Sequence, residues 1–146
     1  MRTTLALVIV LCGCSSKPEE KTVDEMGIKI TVPGNWDKKK RGDDISISSG
    51  MDGVILRVEK EPIKTIEDAK GRLIQGYKMR EEKTLPSGVF LFDFDVDYGT
   101  TGKPMLLRHI EGMLPTAKGH VSCTLQLQPD QDAEPIKQAC SSMKPI

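Results

Sequence analysis

The alternation Phe90, Phe92, Phe94, Val96 and Tyr98, interleaved with Leu91, Asp93, Asp95 and Asp97, constrains this chain more than any other stretch. A repeat of two is the period of an extended strand; on a helix the same residues would scatter around the circumference. A strand so apolar on one face has to lie in a sheet beneath a covering layer. The three aspartates are expected on the opposite, solvated face.

The rest of the chain supplies partners for that strand. Ile28, Ile30 and Val32 alternate with Lys29 and Thr31 before the breaker Pro33-Gly34. Asp44 to Ser49 alternates through Ile45 and Ile47, turns at Gly50-Met51-Asp52-Gly53 and returns as Val54 to Lys60, a hairpin pattern. Met79 to Leu85, Met105 to Gly112 and the segment around Val121, Cys123 and Leu125 read as further strands, with turns at Pro86-Ser87-Gly88 and Pro115 to Gly119. Two stretches have helical spacing instead. Thr65 is placed to cap a helix through Ile66, Ala69, Leu73, Ile74 and Tyr77, although Gly71 and Gly76 weaken it; Ile136, Ala139, Cys140 and Met143 mark a second helix. Successive hairpins favour antiparallel pairing. The expected class is α+β, a mainly antiparallel sheet with one helix between early and late strands and one C-terminal helix.

The N-terminus carries a different signal. Arg2 precedes the apolar run Leu5 to Leu11, which falls well short of the ~20 residues that cross a bilayer and so reads as a cleaved export signal. Leu11-Cys12-Gly13-Cys14 follows, and it resembles the lipobox of bacterial lipoproteins. The resemblance implies a diacylglyceryl thioether on Cys14, cleavage before it, and acylation of the freed amine by a fatty acid such as palmitate. Each buried CH₂ contributes ~0.8 kcal/mol, so two or three chains anchor stably where one does not. Ser15 follows instead of the aspartate that retains many enterobacterial lipoproteins in the inner membrane. By that resemblance the periplasmic face of the outer membrane is favoured in a Gram-negative source. The expected organisation is a signal peptide over 1–13, a lipidated flexible tether over 14–25, and one domain over 26–146.

Four cysteines occur in all. With Cys12 removed and Cys14 lipidated, Cys123 and Cys140 remain, and two thiols in an exported chain are expected to pair. Strand alternation sets Cys123 on the apolar face with Val121 and Leu125, and helical spacing turns Cys140 toward the core, so the bond would staple helix to sheet. The 21 basic and 21 acidic residues include only Arg2 within the signal. The remainder is close to neutral, which argues against a nucleic-acid binder.

The early strand ending in Pro33-Gly34-Asn35-Trp36, the hairpin, the helix, the meander and the final Cys140-Ser141-Ser142-Met143-Lys144-Pro145 together resemble the PsbP-like fold group, DcrB-type envelope proteins among them. The resemblance spans roughly 26–145 and implies a binding or assembly role; it brings no catalytic motif.

Local chemistry is sparse. Asp93, Asp95 and Asp97 imitate the start of a calcium loop, but Tyr98 stands where a turn glycine is needed and Pro104 where the bidentate glutamate belongs. They are weak metal candidates only. His109 and His120 lie on strands that a hairpin would join, and a one-residue register change would part them. No Gly-x-Ser-x-Gly occurs. The run Lys38-Lys39-Lys40-Arg41, beside Trp36, is the strongest charge cluster; a solvated loop is expected there, with contact to an anionic lipid, glycan or acidic partner as the functional alternative. Trp36 itself is expected as an anchor at the core edge. The sequence thus points to a lipid-anchored, non-catalytic envelope domain, needing no cofactor, that binds or supports a protein partner. A module for a small ligand or cell-wall polymer is the second reading and an envelope enzyme the third.

Overall fold

The computed structural model describes residues 16–146. The proposed signal peptide, Cys12 and Cys14 lie outside the described residues. Strands β1 (Pro18–Val23) and β2 (Ile28–Pro33) are joined by a 3-10 turn at Asp24–Met26, and β3 (Asp37–Arg41), β4 (Asp44–Ser49) and β5 (Asp52–Glu59) form a meander. Helix α1 (Ile66–Lys70) precedes β6 (Tyr77–Thr84), β7 (Phe90–Asp97), β8 (Leu106–Thr116) and β9 (Gly119–Gln126). Helix α2 (Glu134–Ser141) and the short β10 (Lys144–Pro145) close the chain.

Seven strands make one antiparallel sheet in the order β3-β4-β5-β9-β8-β7-β6, and β1-β2-β10 make a second, smaller one. The α+β class and both helices are therefore as the residue patterns indicate. Pleating divides the large sheet into two faces. One presents Ile45, Ile47, Val54, Leu56, Leu91, Ile110, Leu114, Val121 and Cys123 to the small sheet and α2, enclosing Ile28, Ile30, Ile136, Ala139 and Met143 in one core. The other presents Phe90, Phe92, Phe94, Val96 and Met113 to Ile63, Ala69 and Leu73 on and around α1, a separate core.

Cys123 and Cys140 are bonded, with alpha carbons 5.5 Å apart. The staple joins the β9 centre to the last turn of α2, and β8 passes directly beneath. A Cβ at Gly112 would come within 3.0 Å of the Cys140 Cβ and 3.3 Å of its carbonyl oxygen. Glycine there lets the helix approach the sheet closely.

Three expectations need correction. Residues 14–25 are not all tether, because Pro18–Val23 is strand β1, paired along its length with β2. Polarity misled here: β1 is an edge whose Glu19 and Glu20 face solvent, so its sequence shows no apolar repeat while Val23 is fully buried. The basic run Lys38–Arg41 is not a loop but strand β3, exposed throughout and held by β4. The helix at Thr65 forms with the anticipated cap, Thr65 and Asp68 exchanging hydrogen bonds with each other's backbone, but it ends at Lys70. Gly71 closes it, and Gly76, at φ +80°, leads into β6.

Candidate functional site

The sequence-derived candidates separate in space. Trp36 is 3% exposed, packed into the core beneath the small sheet. It anchors the turn into β3 and lines neither of the two clefts described below. Lys38, Lys39, Lys40 and Arg41 stand in the open on β3.

Of the β7 aspartates, Asp97 is exposed as expected, but Asp93 and Asp95 are buried rather than on a solvated face. Asp93 is 3% exposed, held by Arg108 of β8 through Nε at 2.8 Å and by Lys137 of α2 at 3.5 Å. Burial pushes its carboxyl up, but the hydrogen bond and charge of Arg108, then Lys137, overcome this and hold it below the usual range. Asp95 is paired to Arg80 at 2.8 Å, and Asp97 accepts the backbone N–H groups of Gly99 and Met105 at 2.8 and 2.9 Å. Their oxygens are thus committed to cations and backbone. Among the described residues no group of three or more His, Cys, Asp or Glu is arranged to hold a metal ion.

The histidines do not meet either. The β8–β9 register sets His109 opposite Gln126 and His120 opposite Pro115. His109 stacks on Phe94 with ring centres 5.3 Å apart and shares a 3.2 Å hydrogen bond with the Tyr98 hydroxyl. Burial lowers the His109 pKa, with Asp95 opposing. His120 is buried, its Nδ1 2.7 Å from the Glu61 carbonyl oxygen.

Two of the concave features among the described residues bear on the readings drawn from the sequence. A cleft of about 190 Å³ lies where Glu59, Glu61, Arg72, Glu111, Met113 and His120 converge on the α1 side of the large sheet. Burial pushes the Glu111 carboxyl up to about 7; the charge of Glu59 adds to the rise and Arg57 opposes it. Arg57 cannot neutralise it fully because Asp44 holds its guanidinium through two hydrogen bonds of 2.9 and 2.7 Å. The cleft is smaller than the ~300 Å³ of an ordinary ligand site.

The larger cleft, about 670 Å³, opens where the two sheets meet. The 3-10 turn and Ile28 form one wall, the β8–β9 hairpin from Leu114 to Lys118 forms the other, and Val58, Val121 and Pro145 make the floor and end. Val58 is 45% exposed and Ile146, next to Pro145, is 63% exposed, so apolar surface runs from the cleft to its mouth. Asp24 and Glu25 stand on one lip and Lys118 on the other.

Sequence reading missed both features. Glu59 and His120 each occupy an alternating position on a strand, but only the register sets them opposite one another, with Glu111 on the next strand four residues further along. The apolar cleft has no local signature, since its walls come from six separate elements. The chain matches no protein-family model and no curated protein sequence.

Proposed function

We propose that this chain is a lipid-anchored domain of a bacterial cell envelope that binds a protein partner and performs no catalysis, and that its fold is a member of the PsbP-like, DcrB-type group. The bonded Cys123–Cys140 pair is the observation that carries the extracytoplasmic part of this reading, since disulfides persist in oxidising compartments. It agrees with the lipobox pattern Leu11-Cys12-Gly13-Cys14. The Gly34 N–H donates to the Lys17 carbonyl at 2.9 Å, so folded structure starts within three residues of Cys14. An acylated Cys14 would hold the domain against the bilayer, at the periplasmic face of the outer membrane in a Gram-negative cell.

The large cleft supports binding. An open apolar trough with one acidic and one basic lip suits an apolar partner segment flanked by charges of both signs. Its volume also lies in the range of small-molecule sites, which favours an apolar ligand as the second reading. The third, an enzyme, rests on the raised carboxyl of Glu111 in the small cleft.

Two experiments test the reading. Cys14→Ser should abolish partitioning into detergent and leave precursor of unprocessed mass; normal partitioning would end the anchored reading. A photoreactive side chain at Val58, irradiated in intact cells, should give one discrete protein adduct that the same group at Glu67, far from the cleft on α1, does not. Label appearing only on a small molecule would shift the function to the second reading.

A further inference from the structure

Strand β3 is the terminal strand of the large sheet, bonded to β4 on one side. Among the described residues no backbone hydrogen bond leaves Asp37–Arg41 except into that ladder. An open edge of this kind is a template for another strand. What distinguishes it is its charge: Lys38, Lys39, Lys40 and Arg41 are consecutive, exposed, and in no ion pair among the described residues. Other cations of the molecule are paired, such as Arg57 with Asp44 and Lys137 with Glu81, and among the described residues the unpaired ones outside this run stand singly rather than consecutively on one strand edge. The nearest approach to the run is Lys38 Nζ to the Thr22 carbonyl, 3.4 Å. Asp37 begins the strand and Asp43 follows it, while Asp44 is already held by Arg57.

The pleat distributes the cations to both sides of the edge. Lys38 and Lys40 pair with Ile47 and Ile45, which face the stapled core; Lys39 and Arg41 pair with Ser46 and Asp44 on the opposite face. We propose that the outer edge of β3 takes up an extended acidic segment of a partner protein by strand addition. The added strand satisfies the free N–H and C=O groups, and its successive carboxylates, pointing alternately to the two faces, meet all four cations. A second copy of this edge is disfavoured, because antiparallel self-pairing sets cation against cation. A flat anionic bilayer meets the charges but leaves the backbone groups unmatched. The inference deepens the partner-binding reading and is independent of Cys14.

The test uses the full chain in a non-ionic detergent and a short dye-labelled peptide with four consecutive Glu flanked by Val, so that its carboxylates reach both faces of the edge. Binding should be read by anisotropy, with slowed hydrogen exchange at the outward amides of β3. Replacing Lys38, Lys39, Lys40 and Arg41 together by Ser should weaken it by roughly a hundredfold or more, as does a rise in salt. The same peptide with alternate backbone nitrogens methylated on its pairing edge keeps every charge and should lose at least about tenfold, the worth of one or two hydrogen bonds. Equal binding of the methylated peptide would overturn strand addition. So would protection of β3 by phosphatidylglycerol vesicles but not by the peptide, which would assign the run to lipid. Failure of the peptide alongside an intact Val58 adduct in cells would remove this edge and leave the partner-binding reading standing.

Discussion

The two faces of the large sheet are built from the same strands and do opposite things. The face toward α2 is covered by a helix and a second sheet, closed by a disulfide, and its carboxylates are paired to cations. Lys137 and then Lys83 hold Glu81 down at about 2 by hydrogen bonds, and Arg108 and Lys137 hold Asp93 below its ordinary value. The face toward α1 is apolar only beneath that five-residue helix. Beyond Met113 it turns polar, and Glu111 is left with a carboxyl near neutrality. The difference teaches that burial is set by the covering layer and not by the strands: β7 is buried on both faces, while the α1 side of β5 carries exposed Ile55 and Arg57.

The sharpest way to break the comparison is to truncate each core. Phe92, fully buried under α1, should lose about 3–5 kcal/mol on replacement by Ala, measured by denaturant unfolding. If it lost less than about 1 kcal/mol, the α1 face would be no second core. Removing the staple by Cys123→Ala with Cys140→Ala should cost about 3 kcal/mol for a loop of 17 residues. Amide exchange should then accelerate in α2 before it does in β7. Equal acceleration in both would mean the two cores open as one.

Smaller and more diagnostic is the pH response, because the faces titrate with opposite signs. The Glu111 carboxyl is raised when folded, so the folded chain holds a proton that the unfolded chain releases from pH 4.5 upward. Its contribution is complete below about 4.5 and is lost as pH rises to about 7, by ~3 kcal/mol. Glu111→Gln should flatten that decline and leave stability at pH 8 higher than in the parent chain. Asp93 is lowered instead, so its contribution is present above 3.8 and is lost as pH falls below that. Asp93→Asn should reduce acid sensitivity below pH 4 while leaving the decline between 4.5 and 7 untouched. The smallest expected effect lies at the open edge: replacing Lys38, Lys39, Lys40 and Arg41 by Ser should leave the melting temperature unchanged within error, because no buried contact is lost. A fall of several degrees would mean that the lysine stems pack on the sheet.

The amino-acid sequence by itself determined the period of each long element, and hence its type. Phe90 to Val96 reads as strand because a repeat of two admits nothing else, Thr65 announces its cap, and Cys123 and Cys140 each show an inward face before any contact is known. Only the tertiary structure decided what those faces meet. Asp93 alternates with apolar neighbours as a solvated residue would, yet α2 and β8 cover it with Lys137 and Arg108. The chain could afford a charged side chain in that place only because its partners arrive from 15 and 44 residues further along, while Asp95 takes its partner Arg80 from β6. Strands β1 and β3 escaped notice for the converse reason: an edge strand is stabilised by its ladder and kept polar on its surface, so it lacks the apolar repeat that reveals a buried one. The clefts and the Glu111 environment likewise arise from register and layer packing, which are properties of pairs of segments, whereas periodicity belongs to one segment at a time.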